Sequence, residues 1–170
     1  MSKSRIDLVR ETVNKVLNNQ LDKEHANCGY IHLYSVSTLC HQLAILRGLN
    51  TELAIIMAML HDIHTYRTND SHQHAHKGAI DAGNVLAELS IFTEQEQKLI
   101  TSAIYHHSTK EEINDEYDEL LKDADTLQYY LHNPSRPCTQ ARFNRLKSVF
   151  RELGLNEESL KSCKVVEKMS

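Results

Sequence analysis

Apolar residues recur at intervals of three and four along most of the chain, and this spacing predicts amphipathic helices. Gly48 and Gly154 stand where two of these helices should end, because glycine readily takes the left-handed conformation of a C-cap. Thr93 and Glu96 have the spacing of a capping box at the start of another helix. The predicted helices cover residues 4–18, 31–47, 52–64, 73–89, 93–107, 116–132 and 139–153, and a weak terminal helix covers 156–170.

The segments between these helices are polar, and none has the alternating pattern of a convincing strand. Residues 18–30 and 66–72 are expected to form connections, and residues 108–115 form a charged one. The third helix is apolar on every side over residues 53–60, so we expect it at the centre of the molecule. The predicted fold class is all-α, a compact bundle of about six to eight helices in a single domain, 1–170.

Composition and charge narrow the classes of partner. Only five glycines and two prolines among 170 residues leave room for long helices. A net charge of −4, with both signs mixed along the chain, provides no broad basic surface, so a nucleic-acid partner is disfavoured. The longest apolar run, 53–60, is far shorter than the roughly 20 residues of a membrane span, and residues 1–11 lack the apolar core of a signal peptide. We therefore expect a cytoplasmic protein without membrane contact.

The metal-ligating residues that stand out are histidines rather than cysteines. The four cysteines are scattered with no Cys-x-x-Cys pair, which argues against a thiolate zinc site and in favour of reduced thiols. The chain has eleven histidines, and histidine is the commonest metal ligand in proteins. Which of them face inward therefore decides whether a metal site can form.

Angular position on each helix separates inward from outward histidines. At about 100° per residue, His32 falls on the apolar face of its helix and His41 lies about 180° away. His107 falls on the apolar stripe of its helix, and His106 lies about 100° from that stripe. The apolar residues that share the face of His32 are Val36, Leu39, Leu43 and Leu46. His32 and His107 are therefore predicted to point inward.

His61 and Asp62 come at the end of the most apolar helix. Burying an imidazole and a carboxylate there costs free energy unless something compensates both, and a metal cation would do so. Adjacent residues on a helix point about 100° apart, so the two side chains converge only near a helix end, or else they approach two neighbouring ions. That arrangement suits a carboxylate that bridges two metals.

Periodicity does not choose between neighbouring residues on two further helices. Asp123 and Asp125 flank the apolar stripe of one helix on opposite sides, and His74 and His76 flank the stripe of another. Both pairs stay open on pattern alone. Because four separate helices each present a residue type that binds metals, a metal site is nevertheless the favoured interpretation.

These residues resemble, in order and setting, the pattern of the HD-domain superfamily of metal-dependent phosphohydrolases. The matching segments are IHLYSV with His32, AMLHDI with His61 and Asp62, and DADTL with Asp125. The spacings, 29 residues from His32 to His61 and 63 from Asp62 to Asp125, are ordinary for that family. The resemblance covers about residues 30–132. It implies an HD-domain-like core there, with the N-terminal helix and the C-terminal helices packing on it.

The resemblance also selects among the alternatives left open. The family's Ala-Asp-x-Leu motif matches Asp125 rather than Asp123, and a histidine four residues before Gly-Ala matches His74 rather than His76. The histidine that closes Ala-Ile-x-x-His matches His107. The implied metal ligands are His32, His61, Asp62, His74, His107 and Asp125, with His61 and Asp62 as the catalytic residues. They would hold one or two divalent ions, with Asp62 bridging, and manganese, iron, zinc, cobalt, nickel or magnesium is the expected metal.

The resemblance implies cleavage of a phosphate ester, in a nucleotide or a small phosphorylated metabolite, by hydroxide bound to the metal. Lys77, Arg142 and Arg145 are weak candidates for contacting the substrate phosphate, and a solvated surface charge is the favoured interpretation of each. Two alternatives are an HD-type oxygenase with a mixed-valent di-iron centre and a non-catalytic module that binds metal or nucleotide. The oligomeric state, including a homodimer, stays open.

The sequence departs from the patterns of some family branches. It reads HDIHTY where many members read His-Asp-Ile-Gly-Lys, so His64 and Thr65 stand in place of the glycine and the lysine. The family's deoxynucleoside monophosphatases carry a glutamate at the position of Thr65, so that activity is disfavoured. No Gly-Tyr-Pro follows His107, which argues against the cyclic dinucleotide branch.

Overall fold

The computed structural model describes residues 3–167, and helices account for most of them. In chain order the elements are α1 (Arg5–Asn19), α2 (Lys23–Arg47), α3 (Thr51–Leu60), α4 (Ile63–Thr68), α5 (His74–Leu89), α6 (Glu94–His106), α7 (Glu116–His132), β1 (Cys138–Thr139), α8 (Gln140–Glu152), a 3₁₀ helix (Glu157–Ser162) and β2 (Val165–Val166). The eight α-helices within residues 3–167 confirm the all-α fold class.

The central position predicted for the third helix is confirmed. α3 contacts α1, α2, α6 and α7, and seven of its side chains are buried. A helix that is apolar on every side can bury all its faces only when other helices surround it. Although α3 is so apolar, none of the helices within residues 3–167 is both long and apolar enough to cross a membrane.

The helix ends carry the caps that the sequence predicts. Thr93 and Glu96 form the predicted capping box at the start of α6. A further cap stands before α3, where the Asn50 side chain accepts hydrogen bonds from the first turn. Gly48 and Gly154 have φ values of 68° and 65°, the left-handed conformation expected after α2 and α8. α7 has the bounds predicted for it.

The loop predicted between the first two helices is wrong, because α2 begins at Lys23. Asp22 caps this helix by accepting hydrogen bonds from two main-chain nitrogens of its first turn. Farther along the segment, a Cβ added at Gly29 would lie 2.5 Å from Leu17 Cδ2 and 2.8 Å from Tyr66 Cδ1. This helical stretch begins at a polar N-cap and packs closely through a glycine. Neither feature leaves a periodic apolar pattern in the sequence.

The helix predicted over 52–64 is also wrong at its C-terminal end. α3 ends at Leu60, and α4 follows from Ile63 into the predicted connection over 66–72. Ile63 and Tyr66 are buried, so α4 packs against the core although it is short and mostly polar. Asn69 ends it in the left-handed conformation, with a φ of 58°.

The terminal helix predicted over 156–170 is replaced by other structure in the described residues. A 3₁₀ helix covers Glu157–Ser162, and β2 pairs with β1 in parallel, with Cys138 opposite Val165 and Thr139 opposite Val166. The expectation of no strand is therefore wrong for these two short segments. The part of the predicted helix over 168–170 lies outside the described residues.

Candidate metal centre

The chain changes direction at the two residues on which the site is centred. His61 keeps a helical backbone, with φ −60° and ψ −37°, but Asp62 departs from it, with φ −112° and ψ 18°, before α4 begins at Ile63. On an unbroken helix the two side chains would point about 100° apart. With the break between α3 and α4, Nε2 of His61 lies 3.5 Å from Oδ2 of Asp62.

Asp62 lies between two pairs of imidazole rings. Its Oδ2 lies 3.3 Å from Nε2 of His32 and 3.5 Å from Nε2 of His61. Its Oδ1 lies 3.5 Å from Nε2 of His107 and 3.8 Å from Nε2 of His74. This Oδ1 is buried and has no hydrogen-bond partner among residues 3–167. One carboxylate thus faces four rings that come from different parts of the chain.

The four imidazoles share one arrangement of their ring nitrogens. In each ring, Nδ1 lies within hydrogen-bond distance of an oxygen that can only accept, so in the neutral ring Nδ1 carries the proton. The Nδ1 contacts are His32 with Gln128 Oε1 (3.0 Å), His61 with Ala58 O (2.7 Å), His74 with Ser71 O (3.2 Å) and His107 with Ile104 O (2.6 Å). Each Nε2 is therefore left with a lone pair, and Asp62 lies among these four lone pairs.

These contacts fit a bound cation. The Nε2 atoms of His32 and His61 lie 3.0 Å apart, and two lone pairs at that distance repel unless a proton or a metal ion lies between them. Imidazole nitrogen together with carboxylate oxygen is a donor set that suits several divalent metals. Two groups have their ligand atoms within 4.8 Å of one another and could hold an ion, namely His32, His61 and Asp62, and Asp62, His74 and His107.

Asp125 borders the first of these groups, whereas Asp123 does not. Asp125 Oδ1 lies 3.7 Å from Nε2 of His32, and Asp125 Oδ2 accepts a hydrogen bond from Lys110 Nζ at 2.6 Å. Asp123 instead accepts a hydrogen bond from Arg145 at 3.0 Å. The structure thus brings the aspartate that the resemblance selects next to the rings. We refer to His32, His61, Asp62, His74, His107 and Asp125 as the histidine–aspartate cluster.

The neighbouring histidines have other partners. His76 is exposed, and its ring stacks on Tyr105 with centroids 4.1 Å apart and planes 3° from parallel. His106 Nδ1 lies 3.0 Å from Asp118 Oδ2. Periodicity does not choose between His74 and His76, and the structure places His74 beside Asp62. It also places His107 there, whereas His76 and His106 lie away from Asp62.

The inward and outward assignments on α2 and α6 are confirmed for their histidines. His107 is buried at 2% exposure, His32 is half-buried, and His41 is exposed. The face predicted for α2 is wrong at Leu46, which is 55% exposed in the last turn of the helix. α2 ends one residue later, at Arg47. At the end of a helix, the face predicted from helical periodicity need no longer contact the core.

Burial and neighbouring charges shift the pKa values of the cluster. Burial lowers the pKa of His61 to about 4, so this ring is neutral near pH 7. Burial also disfavours the charged form of His32, but Asp62 and Asp125 outweigh it and raise the pKa of His32. Burial opposes the ionisation of Asp62 as well, yet the neighbouring imidazoles, foremost His61, hold its pKa well below the usual range. The cluster therefore keeps an ionised carboxylate among its rings, which favours binding of a cation.

Two of the three cations expected as weak phosphate contacts are paired away from the cluster. Lys77 Nζ lies 2.7 Å from Asp70 Oδ2. Arg145 contacts Glu119 at 2.7 Å and Asp123 at 3.0 Å. Their charges are therefore compensated by carboxylates outside the cluster.

Arg142 lies nearer to the cluster than these two. Its NH2 lies 3.8 Å from Asp125 Oδ2, and its guanidinium carbon lies 4.6 Å from the centroid of the Tyr129 ring. Its NH1 is buried with no hydrogen-bond partner in the described part of the chain. Arg142 is thus a cation beside the cluster that has a donor to spare.

Lys110 and Gln128 also contact the cluster, and neither is among the residues predicted from the sequence. Lys110 lies in the charged connection between α6 and α7, next to the exposed Glu111, so its setting predicts exposure to solvent. Gln128 follows Asp125 by three residues on α7, a spacing that places both on one face and could have indicated it.

Fold and site together define a class of protein, an all-helical one whose histidine and aspartate side chains could hold one or two metal ions. A sequence model of the HD domain family matches residues 29–130, a segment that contains the whole cluster. The chain belongs to the HD domain family, whose members are generally metal-dependent phosphohydrolases. No curated protein and no solved structure matches the chain.

Proposed function

We propose that this chain is a metal-dependent phosphoric ester hydrolase of the HD type. The observation that carries the proposal is the position of Asp62, whose two carboxylate oxygens each lie 3.3 to 3.8 Å from the Nε2 atoms of a different pair of imidazoles. A carboxylate in that position can bridge two ions, and paired ions suit in-line displacement at phosphorus. Membership of the HD domain family supports the same class of reaction.

Each residue of the cluster has a proposed role. His32, His61, Asp62 Oδ2 and Asp125 Oδ1 would hold one divalent ion, and His74, His107 and Asp62 Oδ1 would hold the other. When bound, such ions polarise a phosphoryl group and lower the pKa of a water molecule. The acceptors of the Nδ1 protons keep the Nε2 lone pairs directed inward. They are main-chain oxygens for His61, His74 and His107, and Gln128 Oε1 for His32. Because two carboxylates do not neutralise two divalent ions, the loaded cluster keeps a positive charge that attracts phosphate.

The proposed substrate is a nucleotide or a small phosphorylated metabolite. We assign its phosphate contact to Arg142 rather than to Lys77 or Arg145, because Arg142 lies beside Asp125 and has an unpartnered NH1 within the described residues. A guanidinium binds phosphate oxygens well because its donors form a planar fork. Stacking on Tyr129 would hold that fork in one orientation.

Metal analysis of the purified protein, followed by phosphate-release assays, tests the proposal. We expect one or two ions per chain, and release of phosphate from at least one nucleotide or sugar phosphate in a panel with added Mn²⁺. Asp62→Ala should abolish turnover and lower the metal content together, because Asp62 faces both pairs of rings. His32→Ala should also lower the metal content and turnover. His41→Ala on the same helix is its matched control, because His41 is exposed and should be dispensable for metal binding and for turnover.

Three outcomes would contradict the proposal. Turnover that requires iron and consumes oxygen would indicate oxygenase chemistry. Binding of nucleotides with no turnover under any metal would indicate a binding module. Unchanged metal content and turnover in Asp62→Ala would show that the site lies elsewhere.

A further inference from the structure

Lys110 is a buried lysine, 5% exposed, on the connection between α6 and α7. Its ammonium donates to Asp125 Oδ2 at 2.6 Å and to the main-chain oxygen of Lys122 at 3.3 Å. Burying an ammonium costs free energy unless acceptors compensate it, and one of these two acceptors is a carboxylate of the histidine–aspartate cluster. The contact therefore joins a residue outside the cluster to one inside it.

The backbone that carries Lys110 is held by two further cations. Arg145 donates to the main-chain oxygens of Lys110 at 2.7 Å and of Glu112 at 2.8 Å. The side chain of Lys122 donates to the main-chain oxygen of Glu112 at 3.0 Å and to Asn114 Oδ1 at 2.5 Å. The connection is thus clamped by side chains of α7 and α8, and Lys110 reaches Asp125 from a fixed backbone.

The two carboxylate oxygens of Asp125 have different partners. Oδ2 accepts from Lys110, while Oδ1 lies 3.7 Å from Nε2 of His32. We propose that Lys110 is a positioning residue that holds Asp125 so that Oδ1 alone serves the metal beside His32. This inference rests on the metal-dependent function proposed above.

Two effects of Lys110 on metal binding oppose each other. Its positive charge competes with an ion for Asp125, whereas its hydrogen bond keeps the carboxylate oriented. The position of Arg142 indicates which effect is larger, because its NH2 lies 3.8 Å from Asp125 Oδ2. A carboxylate freed from Lys110 can form a bidentate ion pair with that guanidinium. Such a pair would turn Oδ1 away from His32. Loss of Lys110 is therefore expected to weaken metal binding.

Lys110→Met removes the ammonium and keeps most of the side-chain volume. We expect the affinity for Mn²⁺, measured by competition with a chelator, to fall about 10–100-fold. The absorption spectrum of the Co²⁺-substituted protein should also change, because Asp125 would alter its coordination. Lys110→Arg keeps the charge and a donor, and it should recover part of the affinity. Lys110→Gln is neutral and shorter, and it should show the same fall if the methionine variant does not fold.

Lys122→Met is the matched control. Lys122 is also a buried lysine that holds this connection, but its ammonium contacts Glu112, Asn114 and Glu119 rather than the cluster. Its loss should lower the melting temperature. Because Arg145 still holds the main-chain oxygens of Lys110 and Glu112, Lys110 should keep its contact with Asp125, and the Mn²⁺ affinity and the Co²⁺ spectrum should stay as in the wild type. An equal loss of affinity in the Lys110 and Lys122 variants would show that Lys110 acts only through the folding of the connection, and this would overturn the inference.

An affinity for Mn²⁺ that is unchanged or higher in Lys110→Met would also overturn the inference, because competition would then outweigh orientation. Failure of the proposed function has a different signature. In that case the wild-type protein binds Mn²⁺ without releasing phosphate from any ester in the panel, or it binds no metal in the same titration, whatever residue stands at position 110.

Discussion

The four imidazoles of the cluster obtain their Nδ1 acceptors in two different ways. His61, His74 and His107 each contact a main-chain oxygen three residues earlier in the chain. The local backbone fixes these acceptors, so the rings are oriented as soon as that backbone forms. His32 instead contacts the side chain of Gln128, 96 residues away on α7. The orientation of His32 therefore depends on a tertiary contact that substitution can remove.

Gln128→Leu should lower the affinity for Mn²⁺ about 10–100-fold, because His32 Nδ1 loses its acceptor and the ring can rotate. Gln128→Glu keeps an acceptor at the same position and should bind Mn²⁺ at least as well as the wild type. Chelator competition on both variants, with the melting temperature of each metal-free protein, measures the effect. Equal affinities in the two variants would show that the acceptor does not matter.

Among single residues, metal ligands leave clearer signals in the sequence than the residues that support them. Asp62 and His107 have signatures in sequence, a His-Asp pair after an apolar helix and a histidine on an apolar stripe. Lys110 has none, because its burial follows from the clamp on its connection and from a carboxylate that lies 15 residues farther along the chain. Contacts of that kind depend on the tertiary structure, which no local period reports.

Among the elements, α5 comes close to the junction of α3 and α4 at a glycine. A Cβ added at Gly78 would lie 2.7 Å from the main-chain oxygen of His61. That oxygen belongs to the backbone and cannot move aside as the end of a side chain can. The same helix carries His74 one turn earlier, so the close approach at Gly78 sets how near His74 comes to Asp62.

Gly78→Ala should therefore destabilise the protein by about 1–3 kcal/mol and weaken metal binding, because α5 must move away from His61. Gly83→Ala, on the same helix, is the control. Its added Cβ would lie 3.6 Å from Thr101 Cγ2, an ordinary contact, so this variant should gain up to about 1 kcal/mol from the better helix former. Thermal unfolding and Mn²⁺ titration of both variants test this. A Gly78→Ala protein as stable as Gly83→Ala would contradict it.

The elements also show where the helical pattern succeeds and where it fails. α7 is predicted to the residue, because acidic residues mark its start and a segment with two prolines follows its end. The break at Asp62 is not predicted, because Ile63 follows Met59 and Leu60 at helical spacing and so hides the end of α3. The first turns of α2 are missed for the opposite reason, since the buried residues there are Ala26 and Gly29, which contribute little hydrophobic signal.

Across the whole molecule, the cluster joins segments that are far apart in sequence. Its residues come from α2, the junction of α3 and α4, α5, the end of α6, and α7, so most of the chain between positions 32 and 125 must fold before the rings meet. The apolar core lies among the same helices but consists of aliphatic and aromatic side chains that need no ion. That the core and the flanking helices form one domain over 1–170 stays a prediction.

Removal of the metal should consequently lower stability without unfolding the protein. The apolar core keeps the helices packed, whereas an ion that binds only the folded state adds about 2.7 kcal/mol when its concentration is 100-fold above its Kd. Far-ultraviolet circular dichroism should show unchanged helix content after chelation at ambient temperature, together with a lower melting temperature. Asp62→Ala should melt at the same temperature with and without chelator. Loss of helix on chelation would instead mean that the charges of the cluster cannot be accommodated in the folded chain without an ion.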